Sequence, residues 1–523
     1  MIMEIIHYTN SYMTRVYSQF DIPLHQQKLK ILNIIYNFTT IMVKLKSFLV
    51  LFACVLGMQA LAKSGTLRFE DFLLRDTSHV IHGTLDNGFQ YYIVKEVHQP
   101  FQMSLLQKTG FHDDGETPEI SHLLEHMLAT ANRPIATGDT LIQYLKKLGK
   151  EYGSGFNAFT GANFMKFDLY QLKSELAYAD SCMEILSEIA EGSKICSEDL
   201  ERQRTRMINE VANRKYVLNA RQTDANLGVF RFGYDPAEWR EVQLNSAKKI
   251  TLSQLEAFYR KWYHPQNQCL LVTGNVPDGI EKIIKRKFGS HPRVPAPSPT
   301  ILDFTDKNML IERWGSTACS LTLNFALPIL TQAEKTSPNF FRDYFALKQI
   351  NHALNEKIRE RKFASNFVTR YQVAERLMLT ATFTCDLNEE LPGGGLQAFV
   401  DSVAALVNDV RSNGVKIKMP KDTLKKGEVA LRCAQIMKRL QEGNGEGNTI
   451  DRVLQPDVCF IYSLPLYKQE NSDAYWTFML SGKDISDYCK NFINKSKITI
   501  ECVLPYDYPE KEITEKLNAF LRH

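Results

Sequence analysis

Four prolines crowd into a short segment, at Pro292, Pro295, Pro297 and Pro299, and neither a helix nor a sheet ladder runs through such a stretch. Each proline fixes one backbone dihedral and lacks the N–H that regular structure needs. The 523-residue chain is therefore expected to divide at a linker over 291–302, into domains at 65–290 and 303–523. Size alone asks for such a division, because a single hydrophobic core stops growing at about 250–300 residues. With 44% hydrophobic and 23% charged residues the chain sits at ordinary globular values, which argues against disorder and against a membrane-embedded body.

The two long stretches show a similar order of elements. Residues 80–85 and 89–94 are β-rich and flank Asn87-Gly88, which predicts a hairpin. From about 117 to 260 the pattern is mainly helical, broken by a glycine-rich, aromatic segment at 152–170 that suits a strand or two. Residues 250–262 predict another helix, and 269–273 a buried strand ended by Gly274. Beyond the prolines come a β-rich run at 320–327, a long helix at 339–361, a strand at 377–385 and further helices. Alternation of this kind implies sheets covered by helices, in two copies of one architecture.

Ahead of this body lies a targeting signal. Met42-Val-Lys-Leu-Lys46 supplies a short basic region, residues 48–56 an apolar stretch, and Ala60-Leu61-Ala62 a small-x-small cleavage site, so 42–62 reads as a secretory signal peptide. Residues 1–41 then form a spurious extension before the true start. The alternative is a membrane anchor over 31–62, but the apolar run is too short to span a bilayer by itself, and no transmembrane span is expected in the mature protein. Cys54 offers a lipidation site, against which the bulky Phe52 argues. Export to a bacterial periplasm or cell envelope follows as the expectation.

The formal charge of +4 is spread over 63 basic and 59 acidic residues with no basic run standing apart, which excludes nucleic acid as an expected partner. None of the ten cysteines forms a C-x-x-C pair, so neither a cysteine-ligated zinc site nor a thioredoxin-like redox pair is signalled. Most are expected to be buried, small apolar side chains.

The chemistry sits in one helix. Thr117 can cap it, with Pro118 as its first residue. Ile120, Leu123, Leu124, Met127 and Leu128 recur at helical spacing and make one apolar stripe. His122, Glu125 and His126 share an arc of about 100° on the opposite side. Imidazoles at i and i+4 can grip one ion, with the carboxylate between them beside an open coordination position. A zinc ion with three protein ligands brings the pKa of its water to about 7, and a neighbouring Glu can take the proton. The bland alternative is a solvated polar face on an amphipathic helix.

His122-Leu-Leu-Glu-His126 resembles the signature of the pitrilysin/insulinase metallopeptidases, whose motif runs His-x-x-Glu-His. Three further stretches resemble the same family in the same order: 153–160, which ends Asn157-Ala158-Phe-Thr160; 250–268, with Trp262-Tyr-His-Pro; and Val272-Thr-Gly-Asn-Val. The resemblance implies an α+β fold of two homologous domains, each a mostly antiparallel sheet covered by helices. It implies a zinc endopeptidase with one Zn2+ per chain, Glu125 as general base and peptide substrates. The family's third ligand is a Glu on a second helix, which maps onto Glu210, with Glu201 as the alternative. Seven residues before that ligand the family carries another Glu; here Gln203 stands there, adding no charge to the ligand surroundings. The strand Asn157, Ala158, Thr160 is implied as an edge to which an extended substrate adds, although Asn157 read plainly is a turn or capping residue. The aromatics around it, Tyr152, Phe156 and Phe159, are expected in the core.

The resemblance weakens in the second half. Active members supply an Arg and a Tyr from a second copy of the fold facing the zinc, groups that stabilise developing charge. Arg359 resembles the start of that segment, but Asn366 stands where Tyr is expected. The expectation is a two-domain chain, or the first half of a four-domain plan, that dimerises with the same or a different chain of its own fold. A non-catalytic scaffold and a peptide-capturing subunit are the competing functions; the intact His122, Glu125, His126 and Glu210 set argues against the scaffold.

Overall fold

The computed structural model describes residues 80–521, apart from 131, 192, 194, 214–231, 235, 307, 315–317, 387–394, 425–427, 429–430, 433–455, 467–468 and 507–509. The expected signal peptide at 42–62, the stretch 1–41 before it and Cys54 lie outside the described residues.

Val80–Thr84 (β1) and Gln90–Lys95 (β2) pair antiparallel across the Asn87-Gly88 turn, where Gly88 takes a φ of 93° that a side chain would resist. They join β3 (Phe101–Gln107), β4 (Phe156–Thr160), β5 (Met165–Leu172) and β6 (Gln268–Gly274) in the order β1-β2-β6-β3-β5-β4. The β2/β6 pair is parallel and the other pairs are antiparallel. The second sheet contains β7 (Met309–Trp314), β8 (Ala318–Ala326), β9 (Asn366–Val373), β10 (Leu377–Asp386) and β11 (Lys497–Pro505), in the order β7-β11-β8-β10-β9. Counted from β2 and from β7, both sheets place their strands first, fifth, second, fourth, third, with the first and fifth parallel. The anticipated duplication is thus a shared topology. The strands that sequence patterning passes over include β3 and β11, which are buried on both faces and so lack alternation.

One face of the first sheet carries α1 (Ile120–Leu128), α2 (Leu141–Lys147), α3 (Leu176–Ala190), α4 (Ser197–Asn213), α5 (Pro236–Ala247), α6 (Leu252–Trp262) and α7 (Ile280–Phe288). Met103, Leu105, Phe167 and Val272 of the strands pack with Leu124 of α1 and Leu186 of α3 in one continuous core. In the second half α8 (Pro338–Arg361) and α9 (Gly395–Asn413) cover the sheet in the same way. The opposite face of the first sheet, at Tyr92, Val94, Leu106 and Cys269, is closed by Phe460 of α10 (Pro456–Tyr462). Lys108 lies over the Phe460 ring at 4.5 Å, which ties the two halves together.

The proline segment carries no helix or strand among residues 291–306, as expected, and is held by side chains. Asp113 Oδ1 accepts from Thr300 N at 2.7 Å, Gln266 Oε1 from Ala296 N at 3.0 Å, and Asn267 donates to Pro297 O at 2.9 Å. Just beyond it, buried Arg376 pairs with Asp303 at 2.9 Å and lies over Phe304.

Gly274 ends β6 at a φ of 94°, and a Cβ there falls 2.1 Å from the Pro100 carbonyl oxygen. Gly274→Ala therefore lowers stability by about 1–3 kcal/mol, read as an earlier thermal unfolding of the first half. The eight cysteines described are free, and seven of them are buried, as anticipated. No helix among the described residues is long and apolar enough to cross a membrane.

Candidate metal centre

The start of α1 differs from the expected cap. Thr117 and Pro118 lie in a turn, and the helix opens at Ile120 behind Glu119, which takes a left-handed φ of 74°. Asp114 does the work expected of Thr117, its carboxylate accepting from Glu119 N at 2.7 Å and Ser121 N at 3.1 Å. Its two carboxyl oxygens serve two of the free N–H groups at the helix start, where a single hydroxyl reaches fewer, while burial pushes the Asp114 pKa well above the usual carboxylate range. The two faces stand as anticipated. Ile120, Leu123, Leu124, Met127 and Leu128 are buried, while His122 and His126 turn to the other side with side chains 12% and 10% exposed.

Helix α4 packs beside α1 and brings Glu210 to the paired rings. Glu210 Oε2 lies 3.5 Å from His122 Nε2 and 3.4 Å from His126 Nε2, and the two Nε2 atoms are 3.2 Å apart. Tetrahedral ligands at about 2.1 Å from zinc lie roughly 3.4 Å from one another, so the three donors fit one ion. Among the described residues this is the cluster able to hold a metal. Glu201 is turned away, pairing with Arg204 at 3.2 Å with its side chain 80% exposed. The sequence carries a signal for that choice: at 100° per residue Glu210 stands about 60° from buried Met207 and Glu201 about 120° from it.

Each imidazole has a partner behind it. His122 Nδ1 lies 2.7 Å from Glu119 Oε2, and Gln243 of α5 donates to the other oxygen of Glu119. Gln203 is buried, donates to Thr130 Oγ1 at 2.7 Å and hydrogen-bonds His126. Burial pushes the His126 pKa down to about 4, with the neighbouring His122 adding to the effect. A hydrogen bond from His122 leads the causes that hold the Glu210 carboxyl below the usual range, with the charges of His126, His122 and Arg206 in support. At neutral pH the cluster thus offers a neutral ring at His126 and an ionised carboxylate. In the metal-free chain His126 should titrate with a midpoint near 4 by imidazole NMR, and not near its ordinary 6.5. Between those two pH values the unfolded chain takes up a proton that the folded chain refuses, so the metal-free protein loses stability as pH falls through that window. A midpoint above 6 contradicts this.

Glu125 contributes no ligand atom to the cluster; its Oε2 accepts from Thr160 Oγ1 of β4 at 2.9 Å. β4 forms an edge of its sheet, with Asn157 exposed and Ala158 and Thr160 half-buried. Phe156 is core and Tyr152 is half-buried with its hydroxyl on Ala129 O at 2.6 Å, but Phe159 departs from expectation and is 55% exposed. The reason is alternation: in a strand, Phe156 and Phe159 point to opposite faces. In the second half Arg359 stands in the last turn of α8 with its guanidinium 5.9 Å from the Phe367 ring, and Asn366 opens β9 with its side chain accepting from Phe367 N. β9 is the edge strand that matches β4 in the shared topology. Sequence reasoning missed Glu119, which lies against His122, and also Gln243 and Thr130, which hydrogen-bond Glu119 and Gln203 in turn.

Two family models fall on this chain: Insulinase (Peptidase family M16) on residues 103–226, which contain the cluster, and Peptidase M16 inactive domain on residues 249–418. The chain belongs to the insulinase family, M16. Its relatives in that family include a zinc protease PQQL-like of Arabidopsis thaliana, 22% identical over 53% of this chain and 30% of that protein. Another is a probable zinc protease PqqL of Haemophilus influenzae, 26% identical over 47% of this chain and 28% of that protein. The M16 match thus covers under a third of the length of these two relatives. Among solved structures, the first half of the periplasmic protease PqqL from Escherichia coli superposes with a TM-score of 0.60 at 15% identity, over 85% of this chain and 97% of that one. Pitrilysin superposes at 0.52 and 15% identity, over 82% of this chain and 45% of that one. The M16 chain described here has the pitrilysin-like fold, with mixed helices and two sheets.

Proposed function

We propose that this chain is an exported zinc-dependent endopeptidase that hydrolyses peptides or small unfolded proteins. The observation that carries the reading is the convergence of His122, His126 and Glu210 donor atoms within 4.8 Å of one another, beside a Glu125 that Thr160 holds in place. Zinc, when bound, supplies a Lewis acid that polarises a peptide carbonyl and makes water ionise near neutral pH. The rest falls to side chains and backbone of the protein. Glu125, freed from ligation, accepts the water proton and can return it to the departing amine. The outer main-chain edge of β4, the edge strand among the described residues, takes up an extended peptide at Asn157, Ala158 and Thr160 by strand addition, which tolerates varied side chains.

In this reading residues 65–290 are the catalytic domain, 291–302 the linker and 303–523 a second domain without zinc, and residues 42–62 direct the chain to a bacterial periplasm or envelope. Because Asn366 offers no phenol where the family places a Tyr, a second subunit of the same fold supplies the Arg/Tyr pair, in a homo- or hetero-dimer.

Turnover of a quenched fluorogenic peptide, lost on chelation and regained with zinc, tests the reading. Zinc bound without turnover, alone or with the partner chain, leaves a peptide-capturing subunit instead. Full activity of the isolated monomer overturns the requirement for a partner.

A further inference from the structure

A buried acid in a strained backbone conformation sits directly behind His122. Glu119 is 4% exposed, at a φ of 74°. Left-handed backbone costs a residue with a side chain about 1–2 kcal/mol, and a carboxylate out of water costs more unless it is fully engaged. A residue with both handicaps persists where its surroundings over-determine it, and such places cluster at functional sites.

The engagement here is complete and directional. The Glu119 N–H donates to Asp114 Oδ2 at 2.7 Å, and its carbonyl accepts from Leu123 N at 2.9 Å. One carboxylate oxygen accepts from the buried Gln243 amide, and the other lies 2.7 Å from His122 Nδ1. The last contact has the i,i+3 spacing at which side chains on one helix face meet. The carboxylate is thus clamped from α5 and aimed at the imidazole nitrogen that faces away from the cluster. The other imidazole is treated differently: the group behind His126 is the neutral amide of Gln203.

We infer that Glu119 is a positioning residue for the metal site, holding His122 in the tautomer that carries its proton on Nδ1 and leaves Nε2 as the donor. A carboxylate on the outer nitrogen also makes the ligating nitrogen more basic, and removing such a partner typically costs about 10–100-fold in metal affinity. This inference rests on the proposed zinc site, and its test separates the two.

Zinc affinity is measured by competition with a chromophoric chelator on the full chain and on Glu119→Gln, with the melting temperature of each zinc-free protein recorded alongside. Gln keeps the volume and one acceptor oxygen for the Gln243 amide, and it removes the charge together with the acceptor that faces His122 Nδ1. The expected result is a Kd for zinc raised by about 10–100-fold with the zinc-free melting temperature unchanged. Glu119→Gly is the second variant: it relieves the backbone, as glycine adopts positive φ freely, and removes the carboxylate. It should weaken zinc at least as much while far-UV circular dichroism stays that of the wild type. Zinc bound by the wild type, and by Glu119→Gln within about two-fold of it, overturns the inference and leaves the zinc site standing. Failure of the wild type to bind zinc overturns both.

Discussion

Glu125→Gln lowers turnover of a quenched peptide by about 100- to 10,000-fold, the range expected when a positioned general base is removed, while one zinc per chain is retained. The two halves of that result have separate causes. Retention of metal follows from the donor set, since His122, His126 and Glu210 meet without Glu125. Loss of turnover follows from the amide, which has no lone pair basic enough to take a proton from water. Glutamine preserves the shape of the side chain and can still accept from Thr160, so the fold around α1 and β4 is undisturbed. Turnover within about ten-fold of wild type removes Glu125 from the role of base. Loss of zinc in the variant makes it a ligand instead. Inductively coupled plasma metal analysis on the same sample decides between them.

Arg133→Leu destabilises the first half by about 3–5 kcal/mol, a fall of roughly 6–20 °C in its melting temperature. The side chain is 1% exposed, and its Nε donates to Leu128 O, the last residue of α1, at 2.8 Å. Its Nη1 lies 3.3 Å from Glu188 Oε2 of α3 and 3.3 Å from Ser193 Oγ. Removing the cation strands the Glu188 carboxylate, 16% exposed, with its remaining contact to Ala136 N, and leaves a carbonyl at the C-terminal end of the ligand-bearing helix without its donor. The penalty comes mainly from the charge left behind, so Arg133→Leu/Glu188→Leu should recover much of the loss. Differential scanning calorimetry of the single and double variants measures both effects. A double variant no more stable than the single one contradicts the account.

The fold was legible where pattern is local. The hairpin at Asn87-Gly88, the helix over 338–361 and the strand over 377–386 follow from turn chemistry and periodicity, and the structure holds them within a few residues. β3 and β11 were not, because a strand buried on both faces has the composition of any apolar run. Thr117 followed by Pro118 has the local signs of a helix start, whereas Asp114, further back in the chain, takes the role through a turn that propensity does not describe.

The candidate site divides along the same line. His122, Glu125 and His126 belong to one helix, and 3.6 residues per turn is enough to place two rings side by side with an acid between them. Amino-acid order alone therefore set His122, Glu125 and His126 on one face, the candidates for two ligands and the base. Tertiary structure brought Glu210 up to both rings, set Thr160 against Glu125 and drew Gln243 onto the Glu119 carboxyl behind His122. Those relations join separate elements, and they are decided by how α4, α5 and β4 pack on α1. No short-range spacing encodes a packing angle, and that is the physical reason the second set had to be seen in three dimensions.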